Sequence, residues 1–195
     1  MQFLTFIVPT TIQLYIIILL LRLWMQLVKA NFYNPFSQFV IKITQPIVEP
    51  LQKIIPIISS IDIATLLIAY ILAAGNIIFV IWSRNAISLI SITLLPITFI
   101  QLLTYPGKLV FWLILIRSIS SLITHGRNPI DYMLIQLTEP LMSPIRRIFP
   151  AIGGFDLSAM ILMLILIALN YLRLDILLFI DPIITNALYS VGHLM

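Results

Sequence analysis

On a helical period, Phe36, Phe39, Val40, Ile43, Ile47 and Leu51 fall at the i, i+3, i+4, i+7 spacing of one apolar face. Gln38, Lys42, Gln45, Glu49, Gln52 and Lys53 make the opposite, polar stripe. The pattern returns further along at one constant offset: Asn34, Pro35, Thr44, Pro46, Pro50, Pro56 and Asp62 recur as Asn128, Pro129, Thr138, Pro140, Pro144, Pro150 and Asp156. Side chains differ between the copies, but each face keeps its character, so the chain carries an internal duplication. Asn34-Pro35 and Asn128-Pro129 are helix starts, an Asn oxygen to cap and a Pro where its missing N–H costs nothing. Asp131 in the first turn of the second copy suits the positive end of its helix. Pro46 and Pro140 each remove an N–H and crowd the preceding turn. The pattern therefore predicts a short helix, a kink or break, and a second short piece ending at Pro56 or Pro150.

Four longer apolar runs flank these stretches. Residues 3–21 hold no charge, and the run continues past Arg22 to residue 28; residues 63–82 follow a capping Asp62 and end at Arg84. Residues 106–124 and 157–172 complete the set, the last closed by Arg173 and Asp175. Such runs are long enough for about 30 Å of hydrocarbon at roughly 1.5 Å per residue. The first lacks a basic start and a small-residue cleavage site, which marks an uncleaved span. Residues 85–103 are apolar too, but Pro96 sits among them and Thr104, Tyr105, Pro106 and Gly107 end the run. That stretch is either a short extra crossing or a re-entrant or interfacial piece. The apolar tail 176–191, interrupted by Asp181-Pro182, is expected at the interface.

The predicted fold is an all-α membrane protein of two tandem repeats, each a transmembrane helix, a Pro-kinked amphipathic interfacial helix and a second transmembrane helix. Repeat one takes residues 1–84, an apolar connector 85–105, repeat two 106–175 and the tail 176–195. Composition sharpens this: 61% hydrophobic and 9% charged, with mean hydropathy +1.13, lies far from soluble domains. The net charge of +4 sits mostly in and beside the two repeated stretches. It speaks for membrane orientation and headgroup contact, not for nucleic acid. Lys29, Lys42 and Lys53 in the first copy, and Arg117, Arg127, Arg146 and Arg147 in the second, put both stretches on the cytoplasmic side by the positive-inside rule. An even number of crossings must separate them, so residues 85–103 should not span; were they to cross, the repeats would be inverted. Four spans, with both termini on the far side, are expected.

Arg22 and Arg117 stand near the ends of their spans, while Asp62 and Asp156 open the returning ones. Each Arg either pairs with the Asp of its own repeat, or snorkels to headgroups while the Asp only caps a helix. Arg127, Arg146, Arg147, Lys42 and Lys53 are candidates for contact with anionic head groups or a cytoplasmic partner. Asn76, Asn170, Arg22 and Arg117 are the polar groups available to line a path between the repeats. Cysteine is absent, excluding disulfides and thiolate chemistry. His125 and His193 are too far apart in sequence to suggest a metal site. Glu49, Asp131 and Glu139 lie on surface helices beside cations, not converging on a pocket. With no phosphate loop, dinucleotide turn or HExxH, no enzyme and no cofactor are expected.

An Arg near a span's end, then Asn-Pro, Thr-x-Pro, Pro-x-Arg-Arg-x-x-Pro and an Asp opening the next span form a signature. It stands complete in Arg117, Asn128-Pro129, Thr138-Glu139-Pro140, Pro144 to Pro150 and Asp156. By this signature the chain resembles the YggT family of bacterial and plastid membrane proteins, in the two-repeat form of gammaproteobacteria. Copy one departs from it with Gln52-Lys53 in place of Arg-Arg, which removes bidentate guanidinium contacts there. The resemblance implies a bacterial inner-membrane protein linked to osmotic tolerance and potassium or ion homeostasis; plastid relatives act in thylakoid assembly and nucleoid organisation. The expected role is non-enzymatic membrane organisation or ion homeostasis, with the lipid bilayer, other membrane proteins or a second copy as partners. The alternatives are a channel or transporter component for a small ion such as potassium, or an assembly factor for other membrane proteins.

Overall fold

The computed structural model describes residues 2–30, 33–55, 61–83, 91–124, 129–149 and 157–189. Their regular elements are helices: α1 (Gln2–Leu27), α2 (Pro35–Gln52), α3 (Ile63–Ser83), α4 (Leu94–Thr124), α5 (Pro129–Ile148), α6 (Leu157–Ile180) and α7 (Pro182–Tyr189). Four of them, α1, α3, α4 and α6, are long and apolar enough to cross a bilayer. The shortest of these, the 21-residue α3, reaches roughly 31 Å. Helices α1–α3 form one repeat and α4–α6 the other.

Packing centres on α1, whose Ile16, Leu19 and Met25 are fully buried among α2, α3 and α4 side chains. A smaller cluster at the opposite end joins Ile77, Val80 and Ile81 of α3 to Leu94, Ile97, Leu177 and Ile184. Around this core the spans turn Phe3, Trp82, Phe99, Trp112, Leu164 and Phe179 outward. Such a belt would be a liability in water but matches hydrocarbon, where apolar side chains outside the bundle cost nothing.

Helices α2 and α5 lie at the same end of the bundle. The Ser37 hydroxyl of α2 meets the Met133 sulfur of α5 at 4.0 Å, and the Trp24 indole N–H of α1 donates to the Leu137 carbonyl at 2.8 Å. The repeats are thus parallel, as two intervening crossings require.

Neither amphipathic stretch is broken at its proline. Helix α2 runs through Pro46 and Pro50, and α5 through Pro140 and Pro144. Within each pair the spacing is i, i+4, so both prolines share one outward stripe, and all four are exposed. The carbonyls that lose their donors, those of Lys42, Pro46, Gln136 and Pro140, belong to that same exposed side, where solvent or headgroups can satisfy them. Of the predicted kink or break, the break gives way to a continuous helix because the cost falls where it can be met from outside.

The reading also differs at the start of α4. Residues 94–105, expected in the connector, form the first part of a single helix that continues through Thr104, Tyr105, Pro106 and Gly107. A break inside hydrocarbon would strand several backbone groups, whereas Pro106 forfeits one hydrogen bond, and the Thr104 hydroxyl donates to the Gln101 carbonyl beside it. Likewise α6 does not stop at residue 172 but runs to Ile180, carrying Arg173 and Asp175 inside the helix. The chain then turns at Asp181, whose Oδ1 accepts from the Ile183 and Ile184 amides at 3.1 and 3.0 Å. Its Oδ2 accepts from Thr93 at 3.1 Å, and α7 folds back so that Ile184 packs on α3.

Candidate functional site

The two span arginines are held alike, each by a threonine of the amphipathic helix that follows. Arg22 Nη1 donates to Thr44 Oγ1 at 2.9 Å, and Arg117 Nη1 donates to Thr138 Oγ1. Each threonine is fully buried and passes its own proton to the carbonyl four residues back, Val40 at 2.8 Å and Leu134 at 2.7 Å. That donation leaves the hydroxyl's lone pairs free for the guanidinium. The Thr of each Thr-x-Pro therefore ties its helix to the preceding span.

The surroundings of the two arginines then diverge. Arg22 is 8% exposed, and its buried Nε has no hydrogen-bond partner among the described residues. Arg117 is less enclosed: Nη2 reaches Glu139 Oε2 at 3.3 Å and Nη1 reaches the Met142 sulfur at 3.1 Å. Glu139 also accepts from Arg146 at 2.9 Å, so it bridges two cations. The corresponding position in copy one is Gln45, which instead donates to Glu49 at 3.3 Å on the exposed face.

Asp62 is fully buried and bonded elsewhere than to Arg22. Its Oδ2 accepts from Gln52 at 2.5 Å and from the Thr65 hydroxyl at 2.6 Å, and its Oδ1 accepts from the Thr65 amide at 3.2 Å. Of the two alternatives, a direct Arg22–Asp62 pair or a snorkelling Arg beside a capping Asp, the capping Asp is what is seen, and two separate ties stand there, one from α1 to α2 and one from the end of α2 to the start of α3. Capping reverses the chain at that corner, and Gln52, the departure from the Arg-Arg signature, is the residue that reaches the carboxylate. For copy two the comparison stops, because Asp156, Arg127 and Asn128 lie outside the described residues, as do His125 and His193.

Burial divides α2 into three sectors. Ser37, Val40, Thr44 and Val48 face the protein; Gln38, Lys42, Gln45 and Glu49 form the exposed polar stripe; Phe36, Phe39 and Ile47 are exposed and apolar. Of the predicted apolar face only Val40 is fully buried, so most of that face is turned away from the bundle. Asn34 caps the helix, its Oδ1 accepting from the Phe36 amide at 3.0 Å, and Pro35 is the first helical residue. A groove of about 650 Å³ runs along Pro35, Gln38, Phe39, Lys42, Pro46 and Glu49. Lys53 is exposed and paired to Glu49 at 3.6 Å. Helix α5 begins at Pro129, is buried at Met133, Leu134, Leu137, Thr138 and Met142, and ends on Arg146 and Arg147, with Arg147 exposed.

The interior holds more polar groups than the sequence pattern revealed. Besides Asn76, which donates to the Pro9 carbonyl at 3.3 Å, α4 and α6 contribute Gln101, Thr104, Tyr105, Lys108 and Arg173. Arg173 donates to Gln101 Oε1 at 3.3 Å and to Thr104 Oγ1 at 3.5 Å. Asn170 is only half-buried on α6. Lys108 and Arg173 escaped notice because both were placed at span edges; the longer α4 and α6 move them inward. The Arg–Thr ties did leave a signal, since Arg and Thr recur together in both copies. Among the described residues no three His, Cys, Asp or Glu gather as metal ligands would.

Two parallel repeats, each tying a polar-faced helix to its first apolar span, define a multi-pass all-α membrane protein. The profile of the CCB3/YggT family matches residues 1–83 and 96–177. The chain belongs to that family. It is 50% identical over 174 residues to a protein of Escherichia coli (strain K12) named "Uncharacterized protein YggT", covering 87% of this chain and 88% of the relative. A Vibrio alginolyticus protein, "Uncharacterized protein in proC 3'region", is 44% identical over 177 residues, 90% of this chain and 96% of the relative. One from Haemophilus influenzae is 35% identical over 171 residues, 87% and 91% of the two chains. No solved structure matches.

Proposed function

We propose that this protein is a non-enzymatic organiser of the bacterial inner membrane, using α2 and α5 as in-plane docking helices on the cytoplasmic side. The observation that carries this reading is the three-sector α2. One sector packs on the bundle, one is apolar and exposed, and one is polar with Lys42, which suits a helix set at the boundary of protein, acyl chains and headgroups. Lys42, Lys53, Arg146, Arg147 and Arg127 are the groups that would meet anionic headgroups or a partner membrane protein. The Arg–Thr ties hold these helices to the spans, so that contact at the surface is transmitted to the bundle. A role in osmotic or ion homeostasis fits such an organiser acting through other membrane proteins.

Photo-crosslinking in native membranes from a probe at Phe39 and another at Lys42 tests this. Phospholipid adducts at both positions, with protein adducts at Lys42, are expected. Selective potassium flux through proteoliposomes holding only this chain would favour the alternative, a channel or transporter component.

A further inference from the structure

Lys42 and Glu49 stand two turns apart along one side of α2, and both are exposed. Pro46 falls between them, likewise exposed, and the groove of about 650 Å³ follows this line from Pro35 to Glu49. The side thus carries a positive charge and, roughly 10 Å further along the helix, a negative one. Reversed about the midpoint between Gln45 and Pro46, the pattern becomes its own complement: Lys42 falls opposite Glu49, and Glu49 opposite Lys42.

A second α2 laid antiparallel beside the first meets opposite charges at both positions, whereas a parallel neighbour would set Lys42 on Lys42 and Glu49 on Glu49. Antiparallel is also the arrangement a membrane imposes. Copies inserted the same way up are related by a twofold axis along the membrane normal, and a helix in the membrane plane then runs opposite to its mate. Within one chain Glu49 accepts from Gln45 at 3.3 Å and pairs with Lys53 at 3.6 Å, exposed i, i+4 contacts of small energy that a second cation can share or replace. Pro46 and Pro50 leave the Lys42 and Pro46 carbonyls without helical donors, and Gln45, beside the midpoint, carries amide N–H groups that suit such acceptors. Helix α5 has Gln136 and Ser143 at the corresponding places, and its Glu139 is held by Arg117 and Arg146. Of the two amphipathic helices, α2 therefore carries the self-complementary pattern, and one such face per chain closes a pair instead of starting an array.

We infer that the partner met by the polar side of α2 is a second copy of this chain, bound α2 to α2 and antiparallel through Lys42, Gln45, Pro46 and Glu49. This rests on the in-plane docking reading of α2 and names the protein that docks. The charges set orientation and register more than affinity. Confinement of both copies to one membrane raises their effective concentration.

The test uses the full chain in proteoliposomes. With no native cysteine, Gln45→Cys beside the midpoint reports the contact: a disulfide-linked dimer is expected under mild oxidation, and Gln136→Cys on α5 should give none. Energy transfer between donor- and acceptor-labelled copies reads the affinity. Lys42→Glu and Glu49→Lys should each weaken self-association by at least about tenfold, with helicity unchanged by circular dichroism. Mixed together, the two variants should associate as the unaltered chain does, because each then offers the charges the other lacks. No dimer through Gln45→Cys, or single variants that pair with themselves as well as with each other, overturns the inference. The photo-crosslinking at Lys42 separates this from the docking reading: adducts with other proteins and no dimer overturn the second copy alone, while adducts with lipid alone overturn both.

Discussion

Arg22 on α1 donates to Thr44 on α2 at 2.9 Å, and Thr44 in turn donates to the Val40 carbonyl, so one hydroxyl joins a span to a surface helix. Arg117 and Thr138 repeat the arrangement in the second copy.

The hydroxyl is the vulnerable member of this link. Thr44→Val keeps shape but leaves the buried Arg22 without its acceptor, at a cost of about 1–3 kcal/mol. Thr138→Val costs less, because Arg117 retains Glu139 and Met142. Thr44→Ser stays close to wild type. Thermal unfolding in nanodiscs should rank the three accordingly, with Thr44→Val lowest.

Charge exchange separates a direct ion pair from two independent ties. Arg22→Asp and Asp62→Arg each destabilise, and the double variant shows no rescue, its effect equal to or worse than the sum. Asp62→Ala alone costs about 0.5–2 kcal/mol through the lost cap of α3. A double-mutant cycle on chemical denaturation checks this; recovery in the double would demand an Arg22–Asp62 contact.

The exposed prolines are dispensable for the fold. Pro46→Ala and Pro140→Ala restore a helical N–H at sites where the helix already runs through, so stability rises by a fraction of the roughly 3 kcal/mol that an interior proline costs. Circular dichroism should show unchanged helicity and a higher Tm. A loss of helicity would mean that the chain needs a bend there.

The parallel arrangement fixes which positions share a side of the membrane. With no native cysteine, single cysteines report cleanly. Lys42→Cys and Arg147→Cys should react with a membrane-impermeant maleimide from the same side, and Phe3→Cys from the other. Labelling of Lys42→Cys and Arg147→Cys from opposite sides would overturn the topology.

Much of this architecture was legible along the chain, because the period of apolar positions and the length of uncharged runs report directly on helices and crossings. The duplication, the capping Asn34 and the positions of α1 and α3 came from such local signals. The ends of α4 and α6 did not. Pro106-Gly107 and Arg173 look like terminators by local chemistry, yet a helix in hydrocarbon loses less by continuing than by exposing its backbone.

The sequence by itself determined an all-α chain of two tandem membrane hairpins, since composition, period and repetition are properties of order alone. Only the tertiary structure decided who meets whom: Arg22 with Thr44 rather than Asp62, Gln52 with Asp62, and Arg173 with Gln101. Those partners stand many residues apart in the chain, and their choice depends on how helices rotate and settle against one another, which no local pattern encodes.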